Sequence, residues 1–397
     1  MNRVYMDANA TTPLAPEVFA AMRPWFTEQF GNASSIHFHG QRARGAVERA
    51  REQVAGLLGC RAAEVVFTSG GTEADNLALL GLLKPGDHLI TTPIEHHAVL
   101  HTAERLRTRG VGVTYVPVDS RAVVDPAEVR RALRPNTQVI SVMMANNEIG
   151  TIQPLAEIGA IAQEADVYFH TDAVQAVGKV PIDVAAIGCD LLSISGHKFH
   201  GPQGTGALYV RKGTHPEPLL FGGPQERQRR AGTENLPGIV GLGHAAEMAK
   251  AFVESNGPAR LAALRDRLEQ GVLARVDDAG VYGSGAKRVP NTTNIWFDHL
   301  EGEALVIALD LKGLAVSGGS ACTSGAMDPS HVMTAMGIVP ERARASLRFS
   351  LDTGATERDV DFALELVPAA VTHLRELSPF YKASVKAASS EPAGSAI

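Results

Sequence analysis

Between residues 64 and 210 the chain alternates between apolar runs of strand length and stretches with helical spacing. No other feature restricts the fold as much. The spacing predicts strands at 64–69, 88–92, 111–118, 138–144, 167–170, 191–194 and 206–210. It predicts helices over 73–83, 96–109, 126–133 and 155–165. A strand that returns through a helix to its own sheet runs parallel to its predecessor, with the helix on a face. The rhythm therefore implies an α/β domain with a mainly parallel central sheet. Past Ser255-Asn256-Gly257-Pro258 the pattern changes: helices over 259–273, 303–311 and 356–377 are interleaved with strands at 294–297, 314–317 and 346–351. That pattern suits a smaller α+β C-terminal domain.

The expected division is a large domain over 10–256 and a small one over 257–381 that takes in residues 1–9. The Ala/Ser-rich stretch 382–397 is expected to be a disordered tail. A length of 397 residues supports two such units. The net charge of −6 leaves no global basic footprint for nucleic acid. No apolar run reaches the ~18 residues needed to span a bilayer. The first residues lack the apolar core of a secretion signal. The expectation is a cytoplasmic protein with neither nucleic acid nor membrane as partner. Three cysteines, Cys60, Cys189 and Cys322, make no disulfide framework and no Cys-x-x-Cys metal motif.

Several segments carry chemistry. The strand at 191–194 runs into Ser195-Gly196-His197-Lys198 and then a Gly/Pro-rich stretch. Ligands of α/β proteins gather just past strand ends. A lysine there can lose its proton and form a Schiff base with an aldehyde, although a lysine capping a strand at the surface fits the same words. A second strand ends in Thr171-Asp172, with Gln175 close behind. A carboxylate there is either a helix N-cap or the partner of a pyridinium nitrogen. Lysine and aspartate at two strand ends are the pairing that pyridoxal 5'-phosphate (PLP) needs. Ser195 and His197 are then candidates for its phosphate, and Gln175 for its ring hydroxyl.

Ser69-Gly70-Gly71-Thr72-Glu73 stands at a strand-to-helix turn, where backbone N–H groups and a hydroxyl suit an anion. His96 opens the next helix and is placed to stack on a flat ring and shuttle protons. His97 and His101 have a metal pair's spacing without a glutamate between them, and metal is not favoured. Arg348 lies inside a strand pattern and needs an anion, from a substrate carboxylate or a structural salt bridge. Asn147 can add an amide contact. Cys60 and Cys189 sit in ordinary structure, whereas Cys322 sits among small residues that read as a mobile loop, the better setting for a nucleophile.

Taken in order, these segments resemble the cysteine desulfurases of the NifS/IscS kind, PLP enzymes of the class V aminotransferase group. The resemblance runs from Asp7-Ala-Asn9-Ala-Thr11-Thr12 to the last long helix. It is carried by residues 30–37, 69–73, 95–96, 145–150, 170–175, 195–198, 230–235, 319–324 and 348–350. It implies the PLP-dependent transferase fold of type I and the conversion of L-cysteine to L-alanine, with sulfur left on Cys322 as a persulfide. It also implies that Lys198 carries the cofactor, Asp172 faces the ring nitrogen, Gln175 faces the ring hydroxyl and His96 stacks on the ring. Gly71, Thr72, Ser195 and His197 would hold the phosphate.

Thr233 would reach the phosphate of a second copy's cofactor, so a homodimer is implied. Arg348 and Asn147 would hold the substrate, with Asn147 also touching the cofactor. An Fe–S scaffold protein would take the sulfur, and Cys322 would be at most a transient cluster ligand shared with that scaffold. Residues 170–183, 225–235 and 377–381 lean toward the nitrogen-fixation form over the housekeeping one. A different PLP aminotransferase or a selenocysteine lyase are the alternative readings.

Overall fold

A computed structural model describes residues 3–318, 329–377 and 381. Seven strands form the main sheet, in the order Val65–Thr68, Gly206–Val210, Leu191–Ser195, Tyr168–Asp172, Thr137–Ser141, His88–Thr91 and Gly112–Tyr115. From Leu191–Ser195 outward to Gly112–Tyr115 every neighbouring pair is parallel. Gly206–Val210 runs antiparallel to both of its neighbours, so Val65–Thr68 points the same way as the parallel set. The carboxyl ends of six strands thus open on one edge. Strands covered on both faces are continuously apolar, which made Val65–Thr68, Leu191–Ser195 and Gly206–Val210 legible in the sequence.

Two long helices were not anticipated, Phe38–Leu58 and Leu236–Glu254. They pack on each other. Ala43, Val47, Ala50, Val54 and Leu58 line one face, and Leu242, Ala245, Ala246 and Ala249 line the other. Arginine and glutamate dilute the first stripe, and glycine weakens the helical signal of the second. The same glycines permit the contact: a Cβ on Gly243 would stand 2.6 Å from Ala50 Cα. The N-terminus of Phe38–Leu58 is capped by the His37 ring accepting from the Gly40 N–H at 3.3 Å.

The later part of the chain forms a four-stranded antiparallel sheet, Ser317–Gly318, Ser346–Ser350, Thr292–Phe297 and Ala279–Val281. The single strand expected over 314–317 is two pieces. Leu314–Ala315 pairs in parallel with Val4–Tyr5, and Ser317–Gly318 joins the four-stranded sheet. The N-terminal residues are therefore tied to the C-terminal part. Helices Gly257–Leu273 and Glu357–Leu377 share that part's core through Leu261, Leu264, Leu268, Val360, Leu364 and Val371. Among the described residues, no helix is long and apolar enough to cross a membrane.

Candidate active site

Five loops and turns leave the carboxyl edge of the main sheet and close around one cavity of about 200 Å³. Its walls include Gly71, Thr72, Asp75, His96, Asn147, Asp172, Gln175, Ser195, His197 and Lys198. Nine of the residues singled out from sequence are therefore gathered in one place, all of these walls but Asp75, while Arg348 and Thr233 do not line the cavity. The edge explains the meeting: parallel strands end together, and the helices that follow start there.

Each wall residue is held by local structure. Gly70 has φ of 154°, a conformation other residues rarely adopt, and it turns the strand Val65–Thr68 sharply into the helix Gly71–Leu82. Gly71 and Thr72 stand in that helix's first turn, where N–H groups have no intrahelical acceptor and favour an anion. Glu73 accepts from the Ser69 N–H and pairs with Arg230 at 2.8 Å, which fixes the turn and anchors the segment that leads to Thr233. Thr233 itself is exposed and does not line this cavity. Lys198 closes the short helical turn Gly196–Lys198 just after Ser195, and its Nζ donates to the carbonyls of Asn9 at 2.6 Å and Ala10 at 2.8 Å. His197 Nδ1 meets Thr11 Oγ1 at 3.1 Å.

Electrostatically the cavity is unusual. Asp172 is buried, and desolvation, with the Asp75 charge second, lifts its pKa to about 7. Asp75 is buried too, and desolvation raises its carboxyl to about 7. Among the described residues its Oδ1 has no hydrogen-bond partner. The Asn147 Oδ1 is likewise unpartnered among them. Burial first, then Lys198 and His97, depress His96 to about 4, so its ring is neutral. His96 Nδ1 accepts from the Ala98 N–H at 3.2 Å, which puts the ring proton on Nε2. Behind Asp172, His170 joins Ser141 at 2.9 Å and Ser193 at 3.0 Å and stands 3.5 Å from Asp75.

Asp75, His96 and Asp172 offer ligand atoms within 4.8 Å of one another, the only such cation-suited group among the described residues. His97 and His101 instead stack on each other, ring centroids 4.9 Å apart. Two buried acids whose protonation is finely balanced suit a protonated ring nitrogen. A neutral imidazole suits the ring face, and the helix start with Thr72, Ser195 and His197 suits a phosphate. The residues present fit PLP.

Three residues in or behind the cavity walls were not anticipated. Asp75 was hidden inside a helix whose other charges are ordinary. Asn9 and Lys179 signal nothing locally, since what brings them to the site is long-range packing. For Arg348, the structure shows the salt bridge that was one of the two expected sources of its anion. The anion its burial demands is Asp7, 2.7 Å from Nη2, while Nη1 donates to the Asn147 carbonyl at 3.0 Å. The Nε has no hydrogen-bond partner among the described residues. Cys60 and Cys189 have thiols raised to about 12 by burial, too high for nucleophilic work at neutral pH. Cys322 lies outside the described residues.

Comparison with known proteins identifies the family. Residues 4–362 match the family described as Aminotransferase class-V. A protein named cysteine desulfurase IscS, from Methanosarcina thermophila, is 52% identical over 380 residues, which are 95% of this chain and 94% of the relative. A solved structure described as a NifS-like protein superposes with a TM-score of 0.88 at 38% identity, covering 94% of this chain and all of that one. Another, described as SspA in complex with cysteine, gives a TM-score of 0.79 at 37% identity over 88% of this chain and 98% of its own. The chain belongs to the class V aminotransferase family. Within it, the chain is one of the PLP-dependent cysteine desulfurases of the NifS/IscS type.

Proposed function

We propose that this chain moves the sulfur of L-cysteine onto its own Cys322 and passes it to an Fe–S scaffold protein. What carries the reading is the convergence of Lys198, Asp172, His96 and the Thr72–Ser195–His197 anion cradle on one cavity. In this reading Lys198 holds the cofactor's aldehyde carbon, Asp172 keeps the ring nitrogen protonated, and Gln175 and Asn147 contact the ring. Gly71, Thr72, Ser195 and His197 hold the phosphate, with Thr233 contributed by a second copy in a homodimer. Bound there, PLP supplies an electron sink for charge released at the substrate α-carbon.

Arg348, with Asp7 and Asn147 fixing its plane, offers the substrate carboxylate its Nε–H, which has no partner among the described residues. Neutral His96 stands beside Lys198 to exchange protons with the reacting group. The Cys322 thiolate attacks the substrate sulfur, a sulfur–sulfur bond forms, and the carbon–sulfur bond breaks with its electron pair returning to what becomes alanine. The cytoplasm, and a two-part chain divided near residue 256, belong to the same reading.

Two destinations for the sulfur follow. The runs at 170–183 and 225–235 favour nitrogenase cluster assembly. The IscS name of the relative at 52% identity favours general Fe–S supply. Sulfur transfer assayed side by side with a nitrogenase-type and a general scaffold separates them. The activity itself is tested with Cys322→Ala loaded with PLP. Alanine and sulfide release from L-cysteine are expected to fall to background while the bound cofactor's visible band persists. Undiminished sulfide release in that variant would sink the proposed role of Cys322.

A further inference from the structure

A second buried lysine stands behind the cavity. Lys179 is 5% exposed, and its Nζ donates to Gln175 Oε1 at 2.8 Å and to Asn9 Oδ1 at 3.3 Å. Among the described residues, no carboxylate is a hydrogen-bond partner of Lys179. The charged and titratable groups that act on it or feel it are Lys198, Arg348, His197 and His200. Burial and the Lys198 and Arg348 charges push its pKa down. An amine in so unfavourable a place, with only neutral partners, calls for an explanation.

Its partners supply one. Asn9 cannot turn: its Nδ2 donates to the Asn147 carbonyl at 3.1 Å and to Thr292 Oγ1 at 2.9 Å. Its Oδ1 therefore faces Lys179 and Asn291. Gln175 is gripped from both ends. Its Nε2 gives one hydrogen to the Asn9 carbonyl at 2.9 Å, and its Oε1 takes one from Lys179. A carboxamide nitrogen carries two hydrogens, so with one acceptor among the described residues one N–H of Gln175 is left for a ligand in the cavity that Gln175 lines.

We infer that Lys179 is a positioning residue for the cofactor: it holds the Gln175 carboxamide from behind, so that the remaining N–H is presented to the ring hydroxyl, and thereby sets the proton affinity of the Lys198 Schiff base. The inference rests on the proposed placement of Gln175 at the ring. The physical link is direct. The ring oxygen shares the Schiff-base proton, so its negative charge is most localised once that proton has left. A donated N–H stabilises the localised charge and favours the unprotonated form. Losing the clamp raises the Schiff-base pKa.

The experiment is a pH titration of the visible absorption of the PLP-loaded protein in Lys179→Met, Gln175→Ala and the double variant. Each single variant is expected to raise the Schiff-base pKa by about one unit, a tenfold change in proton affinity. The double variant is expected to rise no further than either single one, because both remove the same contact. Additive shifts would overturn the inference, since Lys179 would then act through its own charge. A shift in Gln175→Ala with none in Lys179→Met also overturns it while leaving Gln175 at the ring. No shift in Gln175→Ala removes the placement of Gln175 itself. Should Lys179→Met fail to fold, Lys179→Gln keeps a polar group there, neutral and one atom shorter. It is expected to shift in the same direction, and an unchanged pKa in it counts against the inference.

Discussion

The two edges of the main sheet each carry a cavity, and they differ in an instructive way. At the amino edge lies a space of about 670 Å³ lined by Cys60, Arg61, Glu64, Cys189, Arg211 and Lys212 among others. At the carboxyl edge the space is about 200 Å³. The larger one holds two cysteines and several charges, yet none of its lining side chains has a buried polar atom without a partner among the described residues. Glu64 is paired with Arg61, accepts from the Lys212 N–H at 3.0 Å, and is drawn down to about 2 chiefly by Arg61. Arg211, on the same wall, faces Asp190 at 3.4 Å. Among the described residues, the smaller cavity holds unpartnered oxygens on Asp75 and Asn147 and buried acids lifted toward neutrality. Unanswered polar groups single out a candidate site better than volume or residue type does.

The contrast breaks most sharply on covalent chemistry. Lys198→Ala is expected to lower alanine production from L-cysteine by on the order of 10³-fold or more, with loss of the visible cofactor band. Cys60→Ala and Cys189→Ala are expected to leave alanine production and the band unchanged. A large loss in either cysteine variant would make the amino edge part of the machinery.

A smaller effect sharpens the electrostatic side. In the cofactor-free protein, Asp75 binds a proton more tightly folded than unfolded, its pKa moving from 3.8 to about 7. A raised carboxyl pKa contributes stability that is present at low pH and fades as pH rises through that window. Compared with Asp75→Asn, the wild-type melting temperature is expected to drop progressively between pH 4 and 7 and then run parallel above it. Melting curves of both proteins across that range check the sign, and parallel curves throughout would leave Asp75 unperturbed. The smallest effect is expected at the other edge. Glu64→Gln should leave turnover unchanged and lower the melting temperature slightly at pH 7. Glu64 has a depressed pKa, so the gap between the two proteins should narrow as pH falls from 4.5 toward 2.

Much of this site was legible beforehand because its residues sit at junctions that a sequence displays. Asp172 and Ser195 end apolar strands, Gly71 and Thr72 begin a helix, and Lys198 follows within three residues of a strand. Asp75 was not legible, because a helical aspartate ordinarily faces water and only the packed neighbours leave this one dry. The partner of Arg348 could be anticipated as an anion and not as Asp7, which stands 341 positions away in the chain. The helix pair Phe38–Leu58 and Leu236–Glu254 was missed because each stripe is weak alone and complete only against the other.

By itself, the sequence determined the parallel sheet, the edge on which chemistry gathers and the identity of the groups that end its strands. Those follow from period and punctuation, which are local. Tertiary structure alone decided which polar groups stay unanswered, that Asn9 and Lys179 brace Gln175, and that residues 4–5 pair with 314–315. These depend on desolvation and on contacts between distant segments, and neither has a signature in neighbouring residues.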